Sequence, residues 1–494
     1  MEQRGDRVTG AEALARRRLK LAAGVFAIAA LGVAGVATRY GGDPPVDPPA
    51  DPAAVLDAAG AIEPLAEAAG LADGDGATTA ESGGGPDGGP EPASDDRPPD
   101  PAPVRRDWAS PREQSPISAE PASQRVAKPR AVRGLYIGSW PAGSARRLPE
   151  LIRLADETEV NAFVIDIKDV TGEVSYATEV PLAKQLGADR RLKIRDVREM
   201  LAQLRDHGIY PIARIVAFKD PLLADARPEW AVQRADGSVW QDDKGVRWVD
   251  AFNEDVWAYN IELAREAIAL GFSEVQWDYV RFPDAPQSYM TEAVYRARRG
   301  RTMSQGIRAF MIRSREELDP LGVPITADVF GITTSAFRDV GIGQLWEDMA
   351  DVMDVLLPMV YPSHYPRGTW GFPRPNAAPY QVVLKALNHG VSRSRDIEGA
   401  ATIRPWLQAF DLGPPDYTPE YIRAQIDAVY DAGLTEWILW NPAGRYDARP
   451  LATARGREPW FAGRGASLYE PPEPGPTAED TAPIGVAADS AGVR

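Results

Sequence analysis

Acidic side chains are the main candidates for chemistry in this sequence, because other reactive residue types are rare or missing. The 494 residues include no cysteine and only three histidines, His207, His364 and His389. Thiolate catalysis, disulfides and cysteine-ligated metal sites are therefore excluded, and the histidines are not spaced as zinc ligands. The sequence predicts neither a cofactor nor a metal centre, although carboxylates alone could bind a divalent ion.

The stretch Glu274–Pro283, EVQWDYVRFP, carries the strongest candidate. Its apolar, β-branched and aromatic residues indicate a buried strand, and Gln276 and Asp278 alternate, so both must share one face of it. A carboxylate in a buried strand is costly unless it is paired or functional. Because Arg281 follows closely, Asp278 is either the structural partner of Arg281 or a catalytic group.

Further polar residues lie in or just after other strand-like segments. In AFVIDIKD, Asp166 and Lys168 alternate and are predicted to share one face of a strand. In ITADVFG, Asp328 lies at a depth that matches Asp278 on the neighbouring strand. The ring of Trp240, in a long loop, could stack on a sugar or simply plug the end of the fold. The other candidate substrate-binding residues are Arg214, Gln276, Arg281, Tyr361, His364, Gln408, Trp440 and Asn441.

Eight strand-like segments, separated by segments with helical spacing of apolar residues, must position these groups. Most are continuous apolar runs, as expected for parallel strands buried on both faces. Eight β-then-α units predict an α/β fold, a (β/α)8 TIM barrel whose strand ends meet at one mouth. A doubly wound sheet is the alternative, but no G-x-G-x-x-G follows the first strand. The predicted strands are Gly134–Trp140, Ala162–Asp169, Tyr210–Phe218, Glu274–Phe282, Pro324–Gly331, Val355–Tyr361, Ile403–Phe410 and Glu436–Asn441.

Two carboxylates on neighbouring strands, with cations beside them, suit the hydrolysis of a glycosidic bond. One carboxyl must be ionised and the other protonated near neutral pH, and neighbouring charges can separate their pKa values. We assign Asp278 as nucleophile or general base and Asp328 as general acid, with the reverse assignment left open. The sequence does not fix the distance between them, so retaining and inverting outcomes both remain open.

Several motifs of the predicted barrel resemble a bacterial family of (β/α)8-barrel glycoside hydrolases. The resemblance is carried by VRGLYIGSW, WVDAFNEDVW, QWDYVRFP and MVYPSHY and spans about 131–441. It implies a polysaccharide or oligosaccharide substrate. In barrel families similar to this one, the acidic residue that ends the fourth strand is catalytic, a role that falls on Asp278. No glutamate ends the fifth or seventh strand here, so Asp328 is expected to be its partner.

Two other functions fit the same residues. A barrel without catalytic activity could bind a glycan or a partner of the cell envelope, and the missing strand-end glutamate favours this alternative. A Schiff-base aldolase would use Lys168, but Asp166 and Asp169 should keep that amine protonated.

The two ends of the chain differ in composition from the predicted barrel. A basic n-region precedes an apolar run that is either a membrane anchor or a cleaved signal peptide, and this predicts a barrel on the extracytoplasmic side, or a secreted one. Much of the net charge of −16 lies in a Pro-, Ala- and Gly-rich linker that should be disordered. The sequence does not predict a basic surface for nucleic acid, so no nucleic-acid partner is expected. The predicted segments are 1–20 (n-region), 21–38 (anchor or signal), 41–130 (linker), 131–461 (barrel) and 468–494 (disordered tail).

Overall fold

A computed structural model describes residues 125–452, and its central element is a closed parallel barrel of eight strands. Neighbouring strands pair in parallel all the way round, and the last strand pairs with the first. The predicted (β/α)8 TIM barrel is therefore confirmed. The strands are β1 Arg133–Tyr136, β2 Ala162–Lys168, β3 Tyr210–Val216, β4 Glu274–Asp278, β5 Ile325–Phe330, β6 Val355–Met359, β7 in two pieces, Thr402–Ile403 and Trp406–Gln408, and β8 Trp437–Trp440.

Helices cover the outside of the barrel. The helical spacing seen in the sequence is confirmed by α2 and α6, and α6 ends where Gly271 adopts a left-handed conformation with φ of 119°. None of the helices among residues 125–452 is long and apolar enough to cross a bilayer. The helices are α1 Ser139–Ala142, α2 Arg147–Glu157, α3 Pro181–Leu186, α4 Val197–Asp206, α5 Pro221–Ala226, α6 Glu254–Leu270, α7 Gln287–Met290, α8 Met303–Leu318, α9 Trp346–Ala350, α10 Pro379–Ser394 and α11 Pro419–Asp431.

Alternation along the strands separates the two apolar layers of the fold. In β2, Phe163 and Ile165 pack outward in the core beneath the helices, whereas Ala162 and Val164 pack inside the barrel. The apolar filling of the barrel is followed by polar side chains towards the carboxyl ends of the strands. The candidate site is therefore built on rigid strands above a packed core, as is usual for this fold.

Ion pairs close the opposite, amino-terminal end of the barrel. Arg404 donates to Glu274 at 2.6 Å and to Glu436 at 2.8 Å, and all three side chains are buried. Arg404 and Pro405 divide β7, because proline has no N–H to donate to the ladder. The predicted single strand Ile403–Phe410 is thus wrong in its continuity.

Some predicted boundaries change, and others lie outside the described residues. Residue Val126 packs against the barrel interior and accepts a hydrogen bond from Ser273 at 2.8 Å. The folded unit therefore begins before the predicted linker boundary at Arg130. The n-region, the anchor or signal segment, most of the linker, the end of the barrel segment at residue 461 and the tail all lie outside residues 125–452.

Candidate active site

Three carboxylates meet at a single guanidinium in the barrel mouth. Arg214 of β3 donates from Nε to Asp278 Oδ2 at 2.9 Å, and its two Nη groups bond Asp278 and Asp166. Its Nε also lies 4.0 Å from Oδ2 of Asp328. Strand register explains the arrangement, since Asp166 is directly opposite Arg214 on the neighbouring strand. The structure therefore brings Asp166, Arg214, Asp278 and Asp328 together as predicted.

The charges of this cluster are unequally compensated. Burial would lower the pKa of Arg214, but the Asp166 and Asp278 charges raise it well above its ordinary value. Burial raises the pKa of Asp166, while Arg214 opposes that change. Burial and the Asp278 charge raise the pKa of Asp328 well above its usual range. Because one cation cannot neutralise three buried anions, ionisation is least favoured at Asp328, which makes no hydrogen bond to Arg214.

Hydrogen bonds hold Asp328 in a fixed orientation. Its Oδ1 accepts from Trp406 Nε1 at 2.7 Å, and Gln276 Nε2 lies 2.9 Å and 3.0 Å from its two oxygens. Gln276 Oε1 is buried without a partner among residues 125–452. Rotating the amide by a half-turn would present this oxygen to a protonated Asp328. The predicted role of Gln276 thus becomes that of positioning Asp328.

Asp278 lies where β4 stops. The next residue, Tyr279, has a φ of 48°, and its N–H bonds Asp278 Oδ1 at 2.5 Å. A left-handed residue other than glycine costs about 1–3 kcal/mol and is typical of functional sites. This turn ends β4 at Asp278, whereas the sequence predicted a strand to Phe282. The carboxylate is thereby placed at the rim of the barrel.

Arg281 is not the partner of Asp278. Its guanidinium lies 4.6 Å from the ring centre of Phe330 and 4.9 Å from that of Tyr279, and it donates to Asp284 at 2.9 Å. The structural interpretation of Asp278 as the partner of Arg281 is therefore wrong. The cation that pairs with Asp278 is Arg214, two strand positions deeper.

An aromatic pair lines the opposite side of the mouth. Tyr136 of β1 and Trp440 of β8 stack with ring centres 3.9 Å apart, and both are partly exposed. The Arg214 guanidinium lies 5.6 Å and 5.4 Å from these two rings, and the Tyr136 hydroxyl donates to Asp166. Trp440 is a residue predicted from the sequence, whereas Tyr136 and Trp406 are not. Only the position of these two residues in the sequence could have identified them, because each lies near the carboxyl end of a strand with its ring on the inner face.

Four further predicted residues divide into two groups. Tyr361 and His364 are buried with their ring centres 5.1 Å apart, and burial lowers the pKa of His364 to about 3, so its imidazole is neutral at neutral pH. Gln408 instead accepts from Ser363 N at 3.1 Å and donates to Phe410 O at 3.0 Å. Asn441 donates to a loop carbonyl at 2.6 Å. The amides of Gln408 and Asn441 therefore support loops of the mouth.

Lys168 points away from the mouth. Between Asp166 and Lys168 the register shifts, so that Lys168 lies opposite Ile215, whose side chain is in the outer core. Such a bulge redirects the following side chain. Lys168 donates to Asp220 at 2.8 Å, with both side chains almost fully buried. The prediction that Lys168 shares a face with Asp166 is wrong, and no substrate contact is expected of it.

Trp240 offers no surface for a sugar. It is 0% exposed, packs in a small cluster with Val232 and Trp248, and donates from Nε1 to Tyr289 O at 3.0 Å. Of the two interpretations of this ring, the structure supports packing. Among residues 125–452, no group of three acidic or histidine side chains is arranged to hold a metal ion.

Comparison with known proteins gives a family and several solved structures. The family model described as "putative glycosyl hydrolase domain" matches residues 134–446. A hypothetical protein from Ruminiclostridium thermocellum is 38% identical, over 40% of this chain and 97% of that one, with a TM-score of 0.36. The glycoside hydrolase domain of PgaB (BpsB) from Bordetella bronchiseptica is 15% identical, over 63% and 94%, with a TM-score of 0.45. The endo-1,4-β-D-mannanase of Thermotoga petrophila is 12% identical, over 63% and 88%, with a TM-score of 0.43. No curated protein sequence matches the chain.

Proposed function

Because this chain belongs to the glycosyl hydrolase domain family whose model spans residues 134–446, we propose that it hydrolyses O-glycosidic bonds at its barrel mouth. One observation carries the proposal. Asp278 ends β4, and Asp328 lies two residues before the end of the neighbouring strand β5. Both lie beside one guanidinium, but their environments differ: Asp278 is paired with Arg214, whereas burial raises the pKa of Asp328. A carboxyl group whose pKa is raised, beside a carboxylate held by a guanidinium, is what an acid and a nucleophile require.

In the mechanism that we propose, Asp328 donates its proton to the glycosidic oxygen as Asp278 attacks the anomeric carbon. The two Oδ2 atoms lie 2.9 Å and 4.0 Å from the same Arg214 Nε, so they are no further apart than these distances combined. Inverting pairs are separated by about 6.5–9.5 Å and retaining pairs by about 5–5.5 Å. This limit includes the whole retaining range and only the lower end of the inverting range, so we propose retention, in which ionised Asp328 then activates water to release the sugar from Asp278.

The remaining residues of the cluster would orient these two groups. Arg214 and the Tyr279 amide fix the Asp278 carboxylate, and Asp166 neutralises part of the guanidinium charge. The stacked rings of Tyr136 and Trp440 offer a partly exposed apolar face on which a sugar ring can stack.

The substrate that we propose is an envelope or extracellular polysaccharide. The support is the basic and apolar pattern of residues 16–38, which is typical of an exported or anchored chain. Sequencing the amino terminus of the mature protein after cell fractionation tests this location. A membrane species that retains residues 21–38 supports an anchor, and a soluble one that begins near Thr38 supports a cleaved signal. A cytoplasmic species that retains Met1 would contradict export.

Asp278→Asn and Asp328→Asn should each lower turnover about 10²–10⁴-fold, because each removes a proton carrier or nucleophile. The measurement is release of reducing sugar from a panel of bacterial polysaccharides, with folding verified by circular dichroism. Asp416→Asn, the same change at an exposed position after β7, serves as the matched control. Near wild-type turnover in either mouth variant would remove that residue from the mechanism.

A non-catalytic glycan-binding barrel remains the second candidate, because Asp328 is only 1% exposed and both its oxygens are hydrogen-bonded. It predicts saturable polysaccharide binding without turnover, and binding that survives Asp278→Asn. The aldolase hypothesis loses its basis, since the Lys168 amine is fully buried in an ion pair outside the mouth.

A further inference from the structure

A small cavity lies beside the carboxylate cluster, between the carboxyl ends of β5 and β6. Its apolar walls are Phe330, Ile332 and Met359, and its volume is about 30 Å³. A single water needs about 10–15 Å³ by the same kind of measure. The cavity therefore has room for a group of a few heavy atoms, and its walls favour an apolar one.

Two polar atoms on residues that line this cavity lack partners. His364 Nε2 and the Tyr365 hydroxyl are buried and have no hydrogen-bond partner among residues 125–452. Each of the two residues is only 7% exposed. Because an unpaired buried polar atom is costly, a polar ligand atom that pairs with them would be favoured.

The chemistry of these atoms defines what they can bind. His364 Nδ1 lies 2.9 Å from Ser363 Oγ. Burial keeps the ring neutral, so if the serine hydroxyl donates to Nδ1, Nε2 carries the ring proton. The Tyr365 hydroxyl can also donate. Both groups can therefore donate a hydrogen bond to a ligand oxygen.

Gly331 keeps the tyrosine hydroxyl at the cavity. A Cβ on Gly331 would lie 2.7 Å from the Tyr365 hydroxyl and 2.4 Å from Met359 O. The close approach of β5 and β6 at this point thus requires glycine. It also leaves room for the Tyr365 hydroxyl beside Gly331, which itself lines the cavity.

The cavity adjoins the reacting groups through Tyr361, which lines it. Phe330, which also lines the cavity, lies two residues beyond Asp328 on β5, and Tyr361 packs in the apolar cluster inside the barrel, so the cavity is next to the mouth. A substituent that enters the cavity would therefore belong to the sugar held at those carboxyl groups.

We propose that this cavity binds the acetyl group of an acetylated sugar. The methyl group would contact Phe330, Ile332 and Met359, and the carbonyl oxygen would accept from His364 and Tyr365. A plain hydroxyl would leave the apolar walls unfilled, and an anionic group would find no cation among the lining residues. This inference rests on the proposed function for the position of the sugar, and it narrows the substrate class to acetylated glycans.

Saturation-transfer NMR on the full chain tests the inference without turnover. The probes are N-acetylglucosamine and N-acetylgalactosamine against glucosamine and galactosamine, with methyl 6-O-acetylglucoside to distinguish ester from amide. We expect the acetyl methyl protons to receive the strongest saturation, and the parent sugars to bind at least about tenfold more weakly. Equal binding of acetylated and parent sugars, or no binding of any acetylated probe, would overturn the inference.

Two variants of the cavity, Tyr365→Phe and Ile332→Trp, and one control, Tyr259→Phe, locate the effect. Tyr365→Phe removes only an unpartnered hydroxyl, so it should fold normally and weaken acetyl-sugar binding about tenfold. Tyr259→Phe removes another unpartnered buried hydroxyl, on α6 outside the barrel, and should change nothing. Ile332→Trp fills the cavity and should abolish the methyl signal. Wild-type binding of acetylated sugars by both Tyr365→Phe and Ile332→Trp would refute the site. A barrel that binds acetyl sugars without turnover would refute the proposed function alone.

Discussion

Asp328 differs from the other carboxylates of the mouth in how its charge is compensated. Asp166 and Asp278 bond the guanidinium of Arg214 directly, whereas Arg214 Nε is 4.0 Å from Asp328. The neutral donors Gln276 and Trp406 contact Asp328 instead. A group whose pKa is raised on folding is stabilising only while it stays protonated. The same feature that suits Asp328 to donate a proton should therefore destabilise the barrel at neutral pH.

Asp328→Asn should stabilise the protein at neutral pH while it lowers turnover. The folded pKa is raised above the unfolded one, so the wild type loses stability as pH rises from the unfolded pKa through the folded pKa. Asparagine does not ionise, and its amide can donate to Gln276 Oε1. We expect a gain of about 1 kcal/mol or more at pH 7 and no gain below about pH 4. Urea unfolding at both pH values measures it, and a variant less stable at pH 7 would contradict the assignment.

Among the elements, the sequence predicted all eight strands and their order, because buried parallel strands are continuous apolar runs. It also placed Asp278 and Asp328 at matching depth, since alternation fixes the face of each side chain. It failed where the backbone departs from regular geometry. The bulge after Asp166 turns Lys168 outward, and the left-handed Tyr279 ends β4 early. Neither departure from regular geometry occurs at a glycine or a proline, so the sequence gives no local indication of it.

Because Lys168 turns outward, the stability of the fold should depend on its buried ion pair with Asp220. Lys168→Met should lower the free energy of unfolding by about 3–5 kcal/mol, because it leaves the Asp220 carboxylate buried without its cation. Adding Asp220→Asn should recover much of the loss, since the amide oxygen can still accept from Leu223 N at 2.9 Å. Urea unfolding of the single and double variants gives the comparison. A single variant as stable as wild type would show that the ion pair contributes little.

At the scale of the whole molecule, the barrel places its charged layers at opposite ends. Arg404, Glu274 and Glu436 close the amino-terminal end, and the Arg214 cluster lies at the carboxyl end. The sequence predicted the mouth, because strand ends in this fold converge there. It did not predict which cation pairs with which carboxylate, or that Trp240 is buried. Those outcomes depend on contacts between segments far apart in the chain, which local patterns do not encode.

The segment before β1 packs at the amino-terminal end of the barrel, although the sequence assigned its residues to the linker. Arg125 donates to Leu321 O at 3.0 Å, Val126 packs on the interior cluster, and Lys128 lies 3.7 Å from Glu436. A chain that begins at residue 131 should be less stable than one that begins at 125 by about 2 kcal/mol. That estimate sums a half-buried valine and one or two hydrogen bonds, with little from the exposed lysine.

Urea unfolding of the two truncated chains, both extending to residue 494, measures this difference, with Lys128→Ala in the longer chain as the control. The control should lie within about 0.5 kcal/mol of its parent, because surface ion pairs contribute little. Loss in the shorter chain alone would show that the folded unit starts near residue 125 and that Val126 helps to close the barrel. Equal stability of the two chains would show that residues 125–130 are part of the linker, because their contacts would then add nothing to the stability of the folded unit.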